Sequence, residues 1–584
     1  MQPVDFTTLS AACWEIRTAW LPARTEQVYQ RDRYTIALAL RTVNQRGWLE
    51  ISWHPQAARI CIGDSPPRTP DTFTFSQQLV HQLGGLALVA IDAIAPWERV
   101  FDLQFARRPG EAALWHLYVE IMGKYSNVIL TDSANLIVTA AHQVSQQQSS
   151  VRPVQTGQLY EPPPSLTGAY PMASEFQRWQ ERVSLVPGAV GRCLLKSYRG
   201  LSPALVQSMV RASGLDPDTT TDTLKVSDWE QLFHRWQEWL QALDKCQFQP
   251  GWTSGGYTVL GWGVVESAQT VQDLLNRYYT AALNQQEFTQ LRHALSQKLN
   301  NILEKLRLKR STFEERLQQS DQADEYRQQA DLLMAHLQDW EPGMKVITLL
   351  DFDTGNPVTI KLEPEKNAVQ NAQSLYKRHQ KLKRARSAVE PLLAEVKAEI
   401  EYLEQVEAAI AQLDEYQTSE DLEALKEIRE ELIQQQYVED SEYRSRSSAQ
   451  SSSTNFHRYR TPSGFEVLIG RNNRQNDKLS FRLAGDYDLW FHAQEIPGSH
   501  LLLRLEPGAV PDEVDLQVAA DLAAYYSRSR QSEQVPVVYT EPKHVYKPKG
   551  AKPGIAIYKQ ERILWGQPQR ANEYLLQATQ KSES

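Results

Sequence analysis

Two stretches of this chain place an apolar residue at every third or fourth position for longer than a compact core requires. The first carries Leu291, Leu295, Leu299, Ile302 and Leu306. The second carries Val389, Leu393, Val396, Ile400, Leu403, Val406, Ile410 and Leu413. Such spacing keeps one stripe of a helix apolar over many turns, the pattern of a coiled-coil seam. A second helix covering residues 367–413 would run roughly 70 Å. Pro391 inside it is placed to kink it. Two seams in one chain allow an antiparallel hairpin within the chain or a rod that dimerises. Between them, the strand-like runs 346–352 and 358–362 are joined by Asp353-Thr354-Gly355-Asn356, a turn-forming sequence. This puts a small β-hairpin at the tip of the arm.

An arm of this length divides a chain of 584 residues into parts that are each long enough to build a core. Ahead of it, residues 34–40, 48–53, 100–105 and 128–131 read as strands and 73–83 as a helix. Glu161-Pro162-Pro163-Pro164 breaks any regular element. From there to about residue 265 the pattern is helical, and Trp229, Trp236 and Trp239 fall where core anchors would. Behind the arm, residues 440–454 are Ser-rich with scattered charge, the composition of a flexible linker. In the last region Val514, Val518 and Leu522 give one helix an apolar stripe. The expected fold is α+β and multidomain. An α+β domain spans 1–165, a helical region 166–265, the arm with its hairpin tip 266–440, the linker 441–454 and a final α+β domain 455–584.

Charge excludes a uniformly basic nucleic-acid coat. There are 62 Lys and Arg against 71 Asp and Glu, so any nucleic-acid contact is a local patch. Cys13, Cys61, Cys193 and Cys246 lie far apart with no CxxC pair, which argues against a zinc site or a disulfide framework and suits a reducing cytosol. The first residues lack the basic-then-apolar pattern of a secretion signal. The most apolar stretch, residues 86–95, is short and contains Asp92, so no membrane span is expected. Walker A, GxSxG and HExxH signatures are missing, and Ser499 beside His500 does not make a triad. No catalytic residue, metal or cofactor is expected.

Residues 461–505 and 544–554 hold the densest polar chemistry. An apolar strand with Phe465, Val467 and Ile469 runs into Gly470-Arg471-Asn472-Asn473, donors suited to phosphates and base edges. Trp490-Phe491-His492 joins two aromatics to an imidazole. Lys547, Lys549 and Lys552 sit among glycines and prolines that hold a loop close to an anionic backbone. Aromatics interleaved with basic and amide side chains grip RNA by stacking and phosphate contact. The alternative is an ordinary sheet with a solvated charged loop. The candidate RNA contacts are Arg471, Asn472, Asn473, Trp490, His492, Lys547, Lys549 and Lys552.

This segment resembles the RNA-binding domain of the NFACT family, and the resemblance extends over nearly the whole chain in family order. Tyr198-Arg199-Gly200-Leu201-Ser202-Pro203 resembles the turn of the family's helix-hairpin-helix, where Ser202 can cap the following helix and exposed amides could hold an anion. Glu120-Ile121-Met122-Gly123-Lys124-Tyr125-Ser126-Asn127 resembles its N-terminal motif, with Lys124 and Asn127 as contacts to a phosphate or base. A plain helix C-cap at Gly123 is the other reading. Glu98-Arg99 aligns with an Asp-Arg pair through which family members contact tRNA, with Glu98 replacing the Asp. Gln77, Gln78, Val80 and His81 stand where the family is more basic. Arg152-Pro153 and residues 157–163 look structural. Asn371 and the basic run Lys381, Lys383, Arg384 and Arg386 match the coiled-coil region, as an RNA contact or a solvated face.

The resemblance implies a cytoplasmic factor that binds the large ribosomal subunit left carrying peptidyl-tRNA when a stalled ribosome splits. It would recruit tRNA, with tRNA-Ala expected, and support template-free alanine tailing that marks the nascent chain for degradation. The ribosome would perform the chemistry. Partners would be the large subunit, its ribosomal RNA and tRNA, without a membrane. The expected tRNA contacts are Glu98, Arg99, Lys124 and Asn127. Two other readings stay open. One is a cell-surface fibronectin-binding adhesin, the name some family members carry. The other is a DNA-processing, glycosylase-like protein, for which the Met1-Gln2-Pro3 start lacks a proline at the terminus.

Overall fold

The computed structural model describes residues 1–67, 70–149, 152–164, 168–171, 175–439, 455–572 and 574–575. The Ser-rich segment 441–454 lies outside them. The chain forms two compact units, Met1–Asn284 and Gln285–Ser584.

The first unit is built on nine antiparallel strands: β1 (Ala23–Asp32), β2 (Thr35–Arg41), β3 (Arg46–Ser52), β4 (Arg59–Gly63), β5 (Ala87–Ala93), β6 (Val100–Ala106), β7 (Trp115–Glu120), β8 (Asn127–Asp132) and β9 (Ile137–Ala140). Their order is β4-β3-β2-β1-β5-β6-β7-β8-β9. Alternation along each strand separates two layers. Leu117 and Val119 of β7 enter the main core with α1 (Phe6–Trp20), α2 (Thr74–Leu83) and the first turns of α7 (Val271–Asp321). Tyr118 faces the opposite side, where it packs with Ile129, Val154 and Tyr160.

Helices α3 (Phe176–Ser184), α4 (Val190–Ser197), α5 (Pro203–Ala212) and α6 (Val226–Asp244) gather around Trp179, Trp229, Trp236 and Trp239, all buried. The tryptophans are core anchors, as their spacing suggested. The region is not helical throughout: β10 (Gly251–Thr253), β11 (Gly256–Thr258) and β12 (Glu266–Ser267) form a small sheet. Gly261 and Gly263, at φ 76° and 69°, turn the chain where a helix cannot continue.

In the second unit α7 is followed by α8 (Ala323–Ala335), a hairpin of β13 (Val346–Leu350) and β14 (Pro357–Lys361), then α9 (Ala368–Gln412) and α10 (Ser419–Gln434). Helix α9 continues through Pro391. Arg307 pairs with Glu404 at 2.7 Å, Glu314 with Lys397 at 3.0 Å and Asp321 with Arg386 at 2.7 Å. Numbers rise along one helix as they fall along the other, so α7 and α9 run antiparallel. Their apolar stripes meet: Leu295, Leu299 and Leu303 share a core with Val396, Ile400, Leu403 and Val406, and α10 adds Leu422, Leu425, Ile428 and Leu432. The seam is filled within one chain.

The C-terminal sheet is six-stranded and antiparallel, with β15 (His457–Arg460), β16 (Glu466–Ile469), β17 (Leu489–Ala493), β18 (Leu501–Leu503), β19 (Val535–Thr540) and β22 (Arg562–Gly566) in the order β15-β16-β18-β17-β19-β22. Between β16 and β17 lie α11 (Asn473–Lys478) and a π-helical turn, Leu479–Leu483. Helix α12 (Glu513–Tyr525) covers the face that carries Phe491. It buries Val518 and Leu522 but leaves Val514 exposed, so the expected stripe is shorter and is completed by alanines. The π-helical turn and the short hairpin β20 (Val545–Tyr546) with β21 (Ile557–Tyr558) cover the face that carries Trp490.

The seam gives a contrast within one helix. Leu303 is 0% exposed and Leu308 is 71% exposed. Leu303→Ala is expected to lower stability by about 2–5 kcal/mol, and Leu308→Ala by less than about 0.5 kcal/mol, in denaturant titrations of the full chain.

Candidate nucleic-acid interface

In the first unit the candidate tRNA residues sit on two adjoining loops. Val100 pairs with Glu120 across β6 and β7, and the Ile121 amide donates to the Arg99 carbonyl at 2.9 Å. This register sets Glu98-Arg99 beside the Gly123-Lys124 turn. Trp97 is held at φ 65°, a conformation costly for a bulky side chain. Its ring packs on Phe6 at 5.0 Å and Trp239 at 5.4 Å. Its third support is Gly200, where an added Cβ would stand 2.7 Å from the indole. The glycine of the 198–202 turn thus seats a tryptophan.

Glu98 lies 3.9 Å from the Arg199 guanidinium, whose Nε donates to the Gly168 carbonyl at 2.7 Å. Arg99 is half-buried, and burial pushes its pKa down against the pull of Asp5 and Glu98. Lys124 is exposed, with its ammonium 4.9 Å from the Tyr125 ring centre. Gly123, at φ 60°, opens a single helical turn rather than closing a helix.

Asn127 departs from the expectation. It is buried, its Nδ2 donates to the His142 carbonyl at 2.8 Å, and its Oδ1 accepts from the His142 amide at 2.9 Å. That amide is spent on joining two backbone segments. The start of α5 is likewise filled. Ser202 caps it by accepting from the Leu205 amide at 3.0 Å, as its sequence position suggested, and donates to Asp5 at 2.7 Å. A buried carboxylate stands where an anion was expected. One feature the sequence did not disclose is a cleft of about 680 Å³ next to Trp97, with Phe6, Trp14 and Phe248 as walls and Arg17 and Asp244 among its polar residues. Its walls come from segments far apart in the chain.

In the second unit the Gly470–Asn473 turn faces protein carboxylates. Arg471 donates to Asp421 at 3.0 Å and Glu420 at 2.6 Å; Asn472 to Glu427 at 2.6 Å; Gln475 to Glu427 at 2.9 Å; Arg474 to Glu430 at 3.2 Å. Asn473 donates to Glu431 at 3.2 Å, which also accepts from the Tyr402 hydroxyl at 2.7 Å. All five of these carboxylates, Glu420, Asp421, Glu427, Glu430 and Glu431, belong to one helix, α10. Arg471, Asn472 and Asn473 are buried by this contact. Burial, with the Arg471 charge beside it, pushes His457 down to about 3.

Trp490 cannot stack on a base, because it is 1% exposed and its Nε1 donates to Ser480. His492 packs edge-on to His500 at 5.2 Å, and burial pushes its pKa down to about 4. Trp490 belongs to the core of the domain and His492 is half-buried beside it. Of the lysines, Lys547 pairs with Asp477 and Lys549 is exposed. Lys552 bonds the Tyr437 hydroxyl and sits 4.6 Å from the ring centres of both Tyr402 and Tyr437. Gly554 serves close approach, but to protein: a Cβ there would lie 2.5 Å from Asn473 Oδ1.

A mixed α+β multidomain protein with a long helix and a β-rich C-terminal domain is defined by these features. The chain belongs to the NFACT family: residues 5–451 match the NFACT N-terminal and middle domains, and residues 455–559 the NFACT protein RNA binding domain. It is similar to the Rqc2 homolog RqcH of Bacillus subtilis (strain 168), 28% identical over 569 residues that cover 95% of this chain and 96% of that protein. It is also similar to the Rqc2 homolog RqcH of Streptococcus pneumoniae serotype 2, 30% identical over 559 residues that cover 94% and 95%. Among solved structures, the C-terminal part of the fibronectin/fibrinogen-binding protein from Streptococcus suis is 32% identical, covers 48% of this chain and 95% of that one, and gives a TM-score of 0.37. Among the described residues no helix is long and apolar enough to cross a membrane.

Glu431 makes the second-unit contact sensitive to pH. Burial raises its pKa to about 7, against the hydrogen bonds from Tyr402 and Asn473 and the charge of Arg474. The folded state then binds a proton that the opened state releases, so stability is fullest below the ordinary carboxylate pKa and is lost as pH rises through 7. Opening of α10, followed by hydrogen exchange corrected for intrinsic rates, is expected to become easier by up to about 3 kcal/mol between pH 5 and pH 8. Glu431→Gln should flatten that profile.

Proposed function

We propose that this chain is a cytoplasmic factor of ribosome-associated quality control. It binds the large ribosomal subunit that retains peptidyl-tRNA after a stalled ribosome has split. It recruits tRNA, with tRNA-Ala as the species, and supports template-free addition of alanines to the nascent chain, which marks that chain for degradation. The peptidyl-transferase centre of the ribosome forms the bonds, so this chain supplies positioning and is not itself an enzyme. The observation that carries the reading is coverage: the N-terminal and middle domains and the RNA binding domain occur together, and the RqcH relatives match 94–95% of the chain.

In this reading residues 1–165 and the helix-hairpin-helix region 166–265 hold tRNA through Glu98, Arg99 and Lys124. Residues 266–440 act as a coiled-coil arm across the subunit, and residues 455–584 contact ribosomal RNA, with the exposed Lys549 as one contact. Arg99 offers a forked donor for a phosphate or base edge. Its neighbour Glu98 reaches one methylene further than the family's aspartate and faces Arg199.

The tagged full-length protein should sediment with large subunits in sucrose gradients when stalled ribosomes accumulate, and one tRNA should dominate its co-purifying small RNA. Retention at the top of the gradient under those conditions would refute the reading. Arg99→Ala should keep subunit sedimentation, cost about 1 kcal/mol of stability or less, and lose most of the bound tRNA. Recovery of the same tRNA at the same yield would remove Arg99 from the interface.

A further inference from the structure

We infer that α10 is an internal stand-in for RNA, and that the face of the C-terminal domain it covers is a second RNA site, open only when that domain separates from α10. This rests on the reading that the C-terminal domain binds RNA.

The first support is the chemistry of the contact. Arg471, Asn472, Arg474 and Gln475 donate to Glu420, Asp421, Glu427 and Glu430, all on one helix. Guanidinium and amide donors turned toward a row of anionic oxygens are equally suited to a phosphodiester backbone. The second support is the way α10 is anchored. Leu422, Leu425, Ile428 and Leu432 are buried in the core shared with α7 and α9, so α10 belongs to the arm whether or not the C-terminal domain is docked.

The third support is the character of the remaining contacts between the arm and this domain. Arg528 faces Glu404 at 3.5 Å and Glu407 at 3.4 Å, Arg530 faces Asp414 at 3.4 Å, and Ser499 donates to Gln412 at 3.3 Å. These are polar contacts, several of them half-exposed, which ions screen and a competing polyanion can replace. The tight apolar cores lie on either side of the contact rather than across it. Separation would free Arg471, Asn472, Arg474 and Lys552, and the exposed Lys549 lies three residues from Lys552. RNA would then have to outcompete α10, which sets a threshold for engagement.

The test uses the full chain and a defined RNA hairpin. In Glu420→Gln/Glu427→Gln/Glu430→Gln the helix keeps its shape and hydrogen-bond acceptors but loses three charges. If the covered face is closed nine-tenths of the time, weakening its cover should tighten RNA binding by about tenfold and steepen its dependence on salt. In the wild type, saturating RNA should raise hydrogen exchange across residues 419–434 and lower it across residues 471–478. Equal or weaker RNA binding by the variant, or an α10 that exchanges no faster when RNA is bound, overturns the inference while leaving RNA binding by the domain intact. If neither protein binds the hairpin, both the inference and the RNA reading fall. Should the triple variant unfold, the exchange measurement on the wild type decides alone.

Discussion

Helix α9 uses two sides, and the second unit depends on both. Its apolar side, from Leu393 to Ile410, closes against α7 and α10. Its polar side carries Glu404, Glu407 and Gln412, each in contact with the C-terminal domain, while Tyr402 lies in the shared core and bonds Glu431 from there. The two sides differ in kind. Apolar burial is not screened by ions, whereas the polar contacts are directional and screened. A 45-residue helix therefore joins an apolar interface to a polar one.

The first unit rests on another constraint, the seating of Trp97. The indole occupies a position only a glycine at 200 leaves open, and it is pressed by Phe6 and Trp239. Trp239 in turn donates to Thr7 at 2.9 Å, and Ser202 to Asp5 at 2.7 Å. Helices α1, α5 and α6 thus converge on the residues just before Glu98 and Arg99. The loop is held by packing from three directions, which is what sustains an unfavourable φ at a tryptophan.

The features legible in the sequence were those whose cause is local. Apolar spacing disclosed α7 and α9, the Asp353–Asn356 turn disclosed the hairpin at 346–361, and Ser202 before Pro203 disclosed a cap. The seam left open whether its partner lay in the same chain, and the ion pair from Arg307 to Glu404 answers it across 97 positions. Helix α10 was readable in principle, from Thr418 with Asp421 as a capping box and from Leu422, Leu425, Ile428 and Leu432. What no local reading supplies is the acceptor for a donor. Arg471 looks the same in sequence whether it meets a phosphate or Asp421, 50 positions away. The same holds for Asn127 and Trp490, whose partners, His142 and Ser480, come from other elements.

Charge counting fails on this chain for a related cause. The net charge of −9 describes all ionisable residues, but a binding partner meets only those left facing solvent. Glu420 and Asp421 pair with Arg471 and Glu430 with Arg474, while Glu427 and Glu431 accept from the amides of Asn472, Gln475 and Asn473, so acid and base conceal one another. Lys124 and Lys549 contribute little to the total yet are exposed. The field an approaching RNA meets is set by such residues, and it changes sign locally wherever a paired surface opens. Net charge therefore does not determine how basic a face of this protein is: that depends on which cations are paired and which face solvent.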